Sequence, residues 1–166
     1  GENPILDVLI TNVSCYDSTN GFMTTSAVAG TPPYEFSDDG GFNWQSNLTF
    51  GPTGEASYFI TVRDDFGCTD ADSVYVTRPE LLNISSFTQN VSCYDSADGE
   101  LQAIVTGGTP GYSYSWSNGD TTQFSDSLVA NSYTVTVTDT NGCIATSDSM
   151  KITQPDSLYN LSLTST

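Results

Sequence analysis

Four cysteines are the residues of this chain best suited to covalent chemistry: Cys15, Cys68, Cys93 and Cys143. The 166-residue sequence holds no histidine. Without an imidazole base, a serine or cysteine nucleophile lacks its usual activating partner, and no Cys/His zinc set can be completed. Disulfide formation is the chemistry left to the cysteines, and it implies an oxidising compartment or the cell surface. Four reduced, buried thiols are the competing reading. A second set of candidates is acidic. Asp17 follows Cys15, while Asp64 and Asp65 precede Cys68; Asp95 and Asp98 follow Cys93, while Asp139 precedes Cys143. Carboxylates so placed suit either a calcium ion, which takes about six to eight oxygen ligands, or Asx-turns that cap loop backbone. The Asp-x-x-Asp-Gly spacing from Asp95 to Gly99 is not that of an EF-hand loop. No glycine-rich phosphate loop is present, and carboxylate pairs arise by chance among twenty acids, so no enzyme is expected.

The elements that must position these residues are written twice. Asn12-Val13-Ser14-Cys15-Tyr16-Asp17-Ser18 returns letter for letter as Asn90-Val91-Ser92-Cys93-Tyr94-Asp95-Ser96. Gly30-Thr31-Pro32 returns as Gly108-Thr109-Pro110, and the Tyr58–Asp64 stretch with Gly67-Cys68 returns as Tyr133–Asp139 with Gly142-Cys143. A period of roughly 75–80 residues suits a small autonomous domain better than a solenoid unit. Each copy closes on Thr-x-Pro and an acid, Thr77-Arg78-Pro79-Glu80 and Thr153-Gln154-Pro155-Asp156. The expected organisation is one repeat over 1–78, a second over 79–154, and the first strand of a third over 155–166.

Each copy reads as β-structure. Tyr133 to Thr138 alternates apolar and polar residues, as does Tyr112 to Ser117, and a period of two marks strands with one packed and one wet face. Gly-Thr-Pro, Asn118-Gly119 and Asn141-Gly142 are turn signals, Asn-Gly being the strongest hairpin cue. Short strands with frequent turns predict an all-β sandwich of about seven strands per unit. Such a unit has a small core, so stapling is expected.

Four cysteines allow three pairings. An autonomous repeat should close its own bridge, which predicts Cys15–Cys68 and Cys93–Cys143. Each would close a loop of about 50 residues, worth roughly 4 kcal/mol in the chain-entropy model. These bridges would draw the loop after the first cysteine to the turn before the second. Asp95, Asp98 and Asp139 would then converge in one unit, and Asp17, Asp64 and Asp65 in the other, as a candidate calcium site.

Three basic residues against twenty acidic ones leave a formal charge of −17. Such a surface repels phosphate backbones and anionic lipid, so neither nucleic acid nor direct membrane insertion is expected. No apolar run is long enough to span a bilayer. Trp116, in phase with Tyr112 and Tyr114, reads as core or sheet face. Phe42 and Trp44 sit in a Gly-rich insertion after Asp38-Asp39-Gly40-Gly41. Trp44 and Trp116 are the candidate ligand-binding aromatics, Trp44 the better placed for exposure.

Val-Ser-Cys-Tyr-Asp-Ser-x-x-Gly, Gly-Gly-Thr-Pro-x-Tyr-x-Tyr-x-Trp-Ser-Asn-Gly, Tyr-Thr-Val-Thr-Val-Thr-Asp-x-Asn-Gly-Cys and Ile-Thr-Gln-Pro together resemble the SprB repeat of large surface adhesins in gliding Bacteroidetes. Asn90 to Pro155 matches almost throughout; the first copy departs over Ser37 to Gly54. The resemblance implies tandem immunoglobulin-like β-sandwiches joined end to end. It implies an extracellular filament on the bacterial cell surface, exported by the type IX system and acting as a stalk in attachment and gliding motility. Its partners would be neighbouring repeats of the same chain. The alternative is that each repeat is a multivalent binding module for polysaccharide or another surface protein.

Overall fold

A computed structural model describes residues 2–157. Of the strand expected over 155–166, residues 158–166 lie outside the described residues. The chain divides into two compact units, Gly1–Glu80 and Leu81–Thr166. Among the described residues all regular structure is β-strand, and none forms a helix long and apolar enough to cross a membrane.

The first unit contains β1 (Ile5–Thr11), β2 (Gly21–Val28), β3 (Glu35–Ser37), β4 (Thr49–Thr53), β5 (Ala56–Arg63) and β6 (Thr69–Val76). They form two sheets, β1-β2-β4 and β3-β5-β6, with antiparallel pairing throughout. Alternation along the strands sends Met23 and Phe50 from one sheet, and Phe36, Ile60, Val62, Val74 and Val76 from the other, into a shared core. Each large aliphatic or aromatic side chain so buried contributes about 1.5–3 kcal/mol.

The second unit repeats the plan with β7 (Asn83–Gln89), β8 (Gly99–Thr106), β9 (Ser113–Trp116), β10 (Phe124–Leu128), β11 (Ser132–Tyr133), β12 (Val135–Thr138), β13 (Ile144–Thr146) and β14 (Met150–Lys151). One sheet runs β10-β8-β7 and the other β13-β12-β9, with β11 paired to β14. β11 and β12 together correspond to β5, and β13 and β14 to β6. The interruption has a local cause: the Ser147 hydroxyl accepts the Val135 N–H at 3.0 Å, where a strand carbonyl would otherwise sit. Leu101, Ala103, Trp116, Tyr133, Val135, Val137 and Ile152 fill this core.

The sequence predicted about seven strands per unit. Six strand lines are seen in each among the described residues, because the stretches between β3 and β4 and between β9 and β10 are loops. The Asn118-Gly119 cue also acts differently from expectation. Its turn closes with the Trp116 N–H donating to the Asp120 carbonyl at 2.9 Å. The chain then crosses to β10 in the opposite sheet, while β9 pairs with β12.

Strand direction gives every unit two distinct ends. β1 starts at Ile5, just after Pro4, and β6 starts at Thr69, just after Cys68; beyond their far ends the Val13 N–H donates to the Thr77 carbonyl at 3.0 Å. Chain entry and the Cys68 turn therefore share one end, and chain exit and the Cys15 turn share the other. The second unit matches: Val91 donates to Thr153 at its exit end, and Leu82 lies against Gly108 at its entry end.

Candidate functional site

The repeated motifs build these two ends, and each end carries one cysteine. At the entry end the organising group is the carboxylate that closes β5 or β12. Asp64 Oδ2 accepts the Thr31 N–H at 3.0 Å, while its Oδ1 accepts those of Phe66 at 3.0 Å and Cys68 at 2.9 Å. Asp139 does the same with Thr109 at 2.7 Å, Asn141 at 2.9 Å and Cys143 at 2.9 Å. One buried carboxylate thus ties the Gly-Thr-Pro turn to the cysteine turn. Burial works against its ionised form. The surrounding N–H groups of Cys68, Thr31 and Phe66 outweigh that and hold Asp64 below the ordinary carboxylate range. At Asp139 burial is likewise outweighed, by the N–H groups of Thr109, Cys143, Asn141 and Gly142. Glycine is required beside this carboxylate. Gly30 and Gly108 have φ of 68° and 62°, and a Cβ would lie 3.2 Å from Asp64 Oδ2 or 2.9 Å from Asp139 Oδ2. The next aromatic completes the corner: Tyr34 and Tyr112 donate their hydroxyls to the carbonyls of Ala29 and Gly107.

At the exit end, Asn-Val-Ser-Cys serves a different purpose for each letter. Asn12 Oδ1 accepts the Thr77 N–H at 3.0 Å, and Asn90 Oδ1 that of Thr153 at 2.9 Å. Val13 and Val91 plug the core at 4% and 5% exposure. The Ser14 N–H donates to Asn20 Oδ1 and the Ser92 N–H to Asp98 Oδ1, each at 3.0 Å. The cysteine then opens a turn, its carbonyl accepting from Ser18 or Ser96. A residue beyond the last strand clamps this turn. Arg78 donates to the Tyr16 carbonyl, lies 3.9 Å from that ring's centroid and pairs with Glu55 at 2.9 Å. Its counterpart Gln154 accepts the Asp95 N–H at 3.2 Å. The Thr-x-Pro repetition marked these two residues in the sequence; their clamping role needed the fold.

The expected pairings Cys15–Cys68 and Cys93–Cys143 are not formed. Cys15 and Cys143 are disulfide-bonded, whereas Cys68 and Cys93 are free thiols, Cys68 half-buried and Cys93 exposed. The reason is length. The eight residues of β6 separate the two ends of the first unit, about 25 Å at strand rise. A disulfide needs Cα atoms within roughly 4.4–6.8 Å. β8, also of eight residues, separates the ends of the second unit.

The expected convergence of acids fails for the same reason. Asp17, Asp95 and Asp98 stand at exit ends; Asp64, Asp65 and Asp139 stand at entry ends. Among the described residues no three Asp, Glu or Cys side chains group closely enough to hold a metal ion. Asp65 donates its N–H to the Thr31 carbonyl. The Ser92 and Ser96 side chains and the Ser92 N–H hold Asp98 down to about 2.

The two tryptophans also part ways. Trp116 is 3% exposed, with Nε1 donating to the Thr122 carbonyl at 2.7 Å, and it is a core residue. Trp44 is half-buried beneath Arg63, whose guanidinium carbon sits 4.2 Å from its ring centroid. The loop carrying Trp44 is organised by Asp39. That carboxylate accepts the N–H groups of Phe42 and Asn43 and the Ser37 hydroxyl. The Asn43 N–H, the Ser37 hydroxyl and the Asn43 amide lower it to about 2. Phe42, at the tip, is 89% exposed. The Asp-Asp-Gly-Gly run signalled a turn in the sequence, not this network.

The second unit's exit turn, its Gly-Thr-Pro corner and β9 follow one another along a single stretch. Residues 85–121 match the SprB repeat family. No curated protein sequence matches the chain. Among solved structures, the C-terminal 282-residue fragment of intimin, in complex with the intimin-binding domain of its translocated receptor, is similar at 13% identity with a TM-score of 0.43. The match covers 90% of this chain and 64% of that fragment, so this chain spans less than two thirds of the intimin fragment's length. The amphioxus IgVJ-C2 molecule is similar at 13% identity with a TM-score of 0.36, over 92% of this chain and 97% of that one.

Proposed function

We propose that this chain is a piece of the stalk of a secreted bacterial cell-surface adhesin, its SprB-type repeats acting as tandem immunoglobulin-like spacers in attachment and gliding. The carrying observation is where the repeated residues are spent. Asn12 and Asn90, Asp64 and Asp139, and Gly30 and Gly108 all hold a unit's own ends together. Export by the type IX system to the outer surface fits the SprB match at residues 85–121. A surface with net charge −17 favours solubility over adhesion to anionic layers. Neighbouring repeats are the partners such a stalk requires.

Exposed Phe42 and half-buried Trp44 favour a second reading, in which the 37–54 loop of the first unit binds polysaccharide or another surface protein. Assaying the two-unit chain on a glycan array and on agar separates the two. The spacer reading expects no retention on either. Reproducible binding that disappears in Phe42→Ala or Trp44→Ala, with the circular dichroism spectrum unchanged, would replace it with the binding module.

A further inference from the structure

Ile60 and Val62 of β5 point into the first unit's core, so Phe59, Thr61 and Arg63 face outward. The stretch 38–47 crosses this outer face. Gln45 and Phe36 exchange backbone bonds at 2.8 and 2.9 Å, Asp39 bridges to Phe59, and Trp44 lies beneath Arg63. Under the crossing, Ser37 is fully buried and Thr61 is 8% exposed. Their equivalents in the second unit, Ser115 and Thr136, are exposed and half-buried. One copy therefore covers a sheet face that the other leaves open. We propose that residues 38–47 are a strap that lifts from this face and closes on it, and that the Thr61 hydroxyl keeps it close to opening.

The Thr61 hydroxyl is buried with no hydrogen-bond partner among the described residues. The cause lies on the neighbouring strand. Thr61 stands opposite Ala71, whereas Thr136 stands opposite Thr146, and those two hydroxyls bond at 3.1 Å. A buried hydroxyl without a partner disfavours the closed strap, and water satisfies it once the strap lifts.

The strap is also built to move as a body. Asp39 accepts the N–H groups of Phe42 and Asn43 and the Asn43 amide, and these bonds travel with it. Lifting breaks only the Gln45–Phe36 pair, the Asp39–Phe59 bridge and the Trp44–Arg63 contact. Its seat is incomplete: a cavity of about 390 Å3 separates Ser46 from Tyr34, Glu35, Arg63 and Asp65. The tip residue Phe42 projects into solvent and adds no burial that would hold the strap down. Few contacts to the sheet and an unsatisfied group beneath are the marks of a segment that opens locally. Opening bares the Trp44 ring and the outer face of β5, while β5 stays paired with β3 and β6.

Amide hydrogen exchange of the two-unit chain tests this. The Gln45 N–H, which donates across to Phe36, should exchange well before the amides of β5. Thr61→Val removes the hydroxyl and keeps the side chain's shape, and should slow Gln45 exchange by about tenfold. Exchange that does not slow overturns the proposal, as does a Gln45 amide that is as protected as β5 in the parent. Should Thr61→Val unfold the first unit, Ala71→Thr carries the same test. It offers Thr61 the partner that Thr146 gives Thr136, and exchange must again slow. Thr136→Val, in the second unit, should leave Gln45 exchange unchanged; an equal slowing there would also overturn the assignment to Thr61. These exchange rates stand apart from retention on glycans, and so from whether the chain is a spacer or a binding module.

Discussion

The Cys143 N–H donates to Asp139 Oδ1 at 2.9 Å, and Cys68 makes the same bond with Asp64. A carboxylate at the end of a core strand therefore sets the position of each entry-end cysteine. In Asp139→Asn the amide nitrogen would have to face an N–H, because both carboxylate oxygens already accept. An unsatisfied buried donor is costly. We expect the second unit's Tm to fall by roughly 5–10 °C, measured by differential scanning calorimetry. An unchanged Tm would remove Asp139 from its organising place.

Asp98 gives a pH prediction with a built-in control. Its folded value of about 2 lies below the ordinary 3.8. A depressed carboxylate stabilises the fold fully above the unfolded value, and that contribution is lost as pH falls through the folded one. Asp64 and Asp139 are shifted in the same direction. Tm should therefore hold from pH 7 to about 5 and decline from about 4 toward 2. The first unit uses Asn20 where the second uses Asp98, on an equivalent serine N–H. Asp98→Asn should match the parent at pH 7 and show a shallower acid decline. A steeper decline would contradict the assigned bond.

Trp116→Ala removes a buried ring and leaves the Thr122 carbonyl without its donor. A loss of about 3–5 kcal/mol is expected for the second unit, measured by urea unfolding. Trp44→Ala removes only a half-buried ring and its Arg63 contact, and should cost about 1 kcal/mol or less. Equal losses would contradict the assignment of Trp116 to the core and Trp44 to the surface.

Cys68→Ser and Cys93→Ser alter thiols that close no bridge in this chain. Each should leave stability within about 0.5 kcal/mol of the parent. A bridge internal to a unit would instead make each substitution cost about 2–5 kcal/mol. Unfolding curves recorded without reductant distinguish the two.

Gly108→Ala places a Cβ 2.9 Å from Asp139 Oδ2 and from a Leu82 methyl group, at a φ of 62°. Left-handed strain alone costs roughly 1–2 kcal/mol, and the contact adds to it. The second unit should lose more than about 2 kcal/mol in urea unfolding. A smaller loss would show that the Asp139 corner yields easily.

Much of the fold was legible because it is local. Alternation at Tyr133, Val135 and Val137 marked a core strand whose inward face is buried as expected. Asn141-Gly142 made the β12–β13 hairpin its cue announced. Asn118-Gly119 misled because turn chemistry bends the chain without choosing which sheet receives it. The break between β11 and β12 was hidden because it depends on the Ser147 hydroxyl, which the pairing of the strands brings to the Val135 N–H.

The sequence by itself determined that the chain repeats, that each copy is β-structure, and which residues correspond between copies. Periodicity and identity are properties of the chain alone. Only the tertiary structure decided what the corresponding residues do. A strand has length as well as pattern, and eight residues of it hold Cys15 and Cys68 at opposite ends of one sandwich. That separation rules out the pairing suggested by symmetry. It scatters the aspartates that seemed ready to share a metal, and it leaves each end of the unit with a single cysteine.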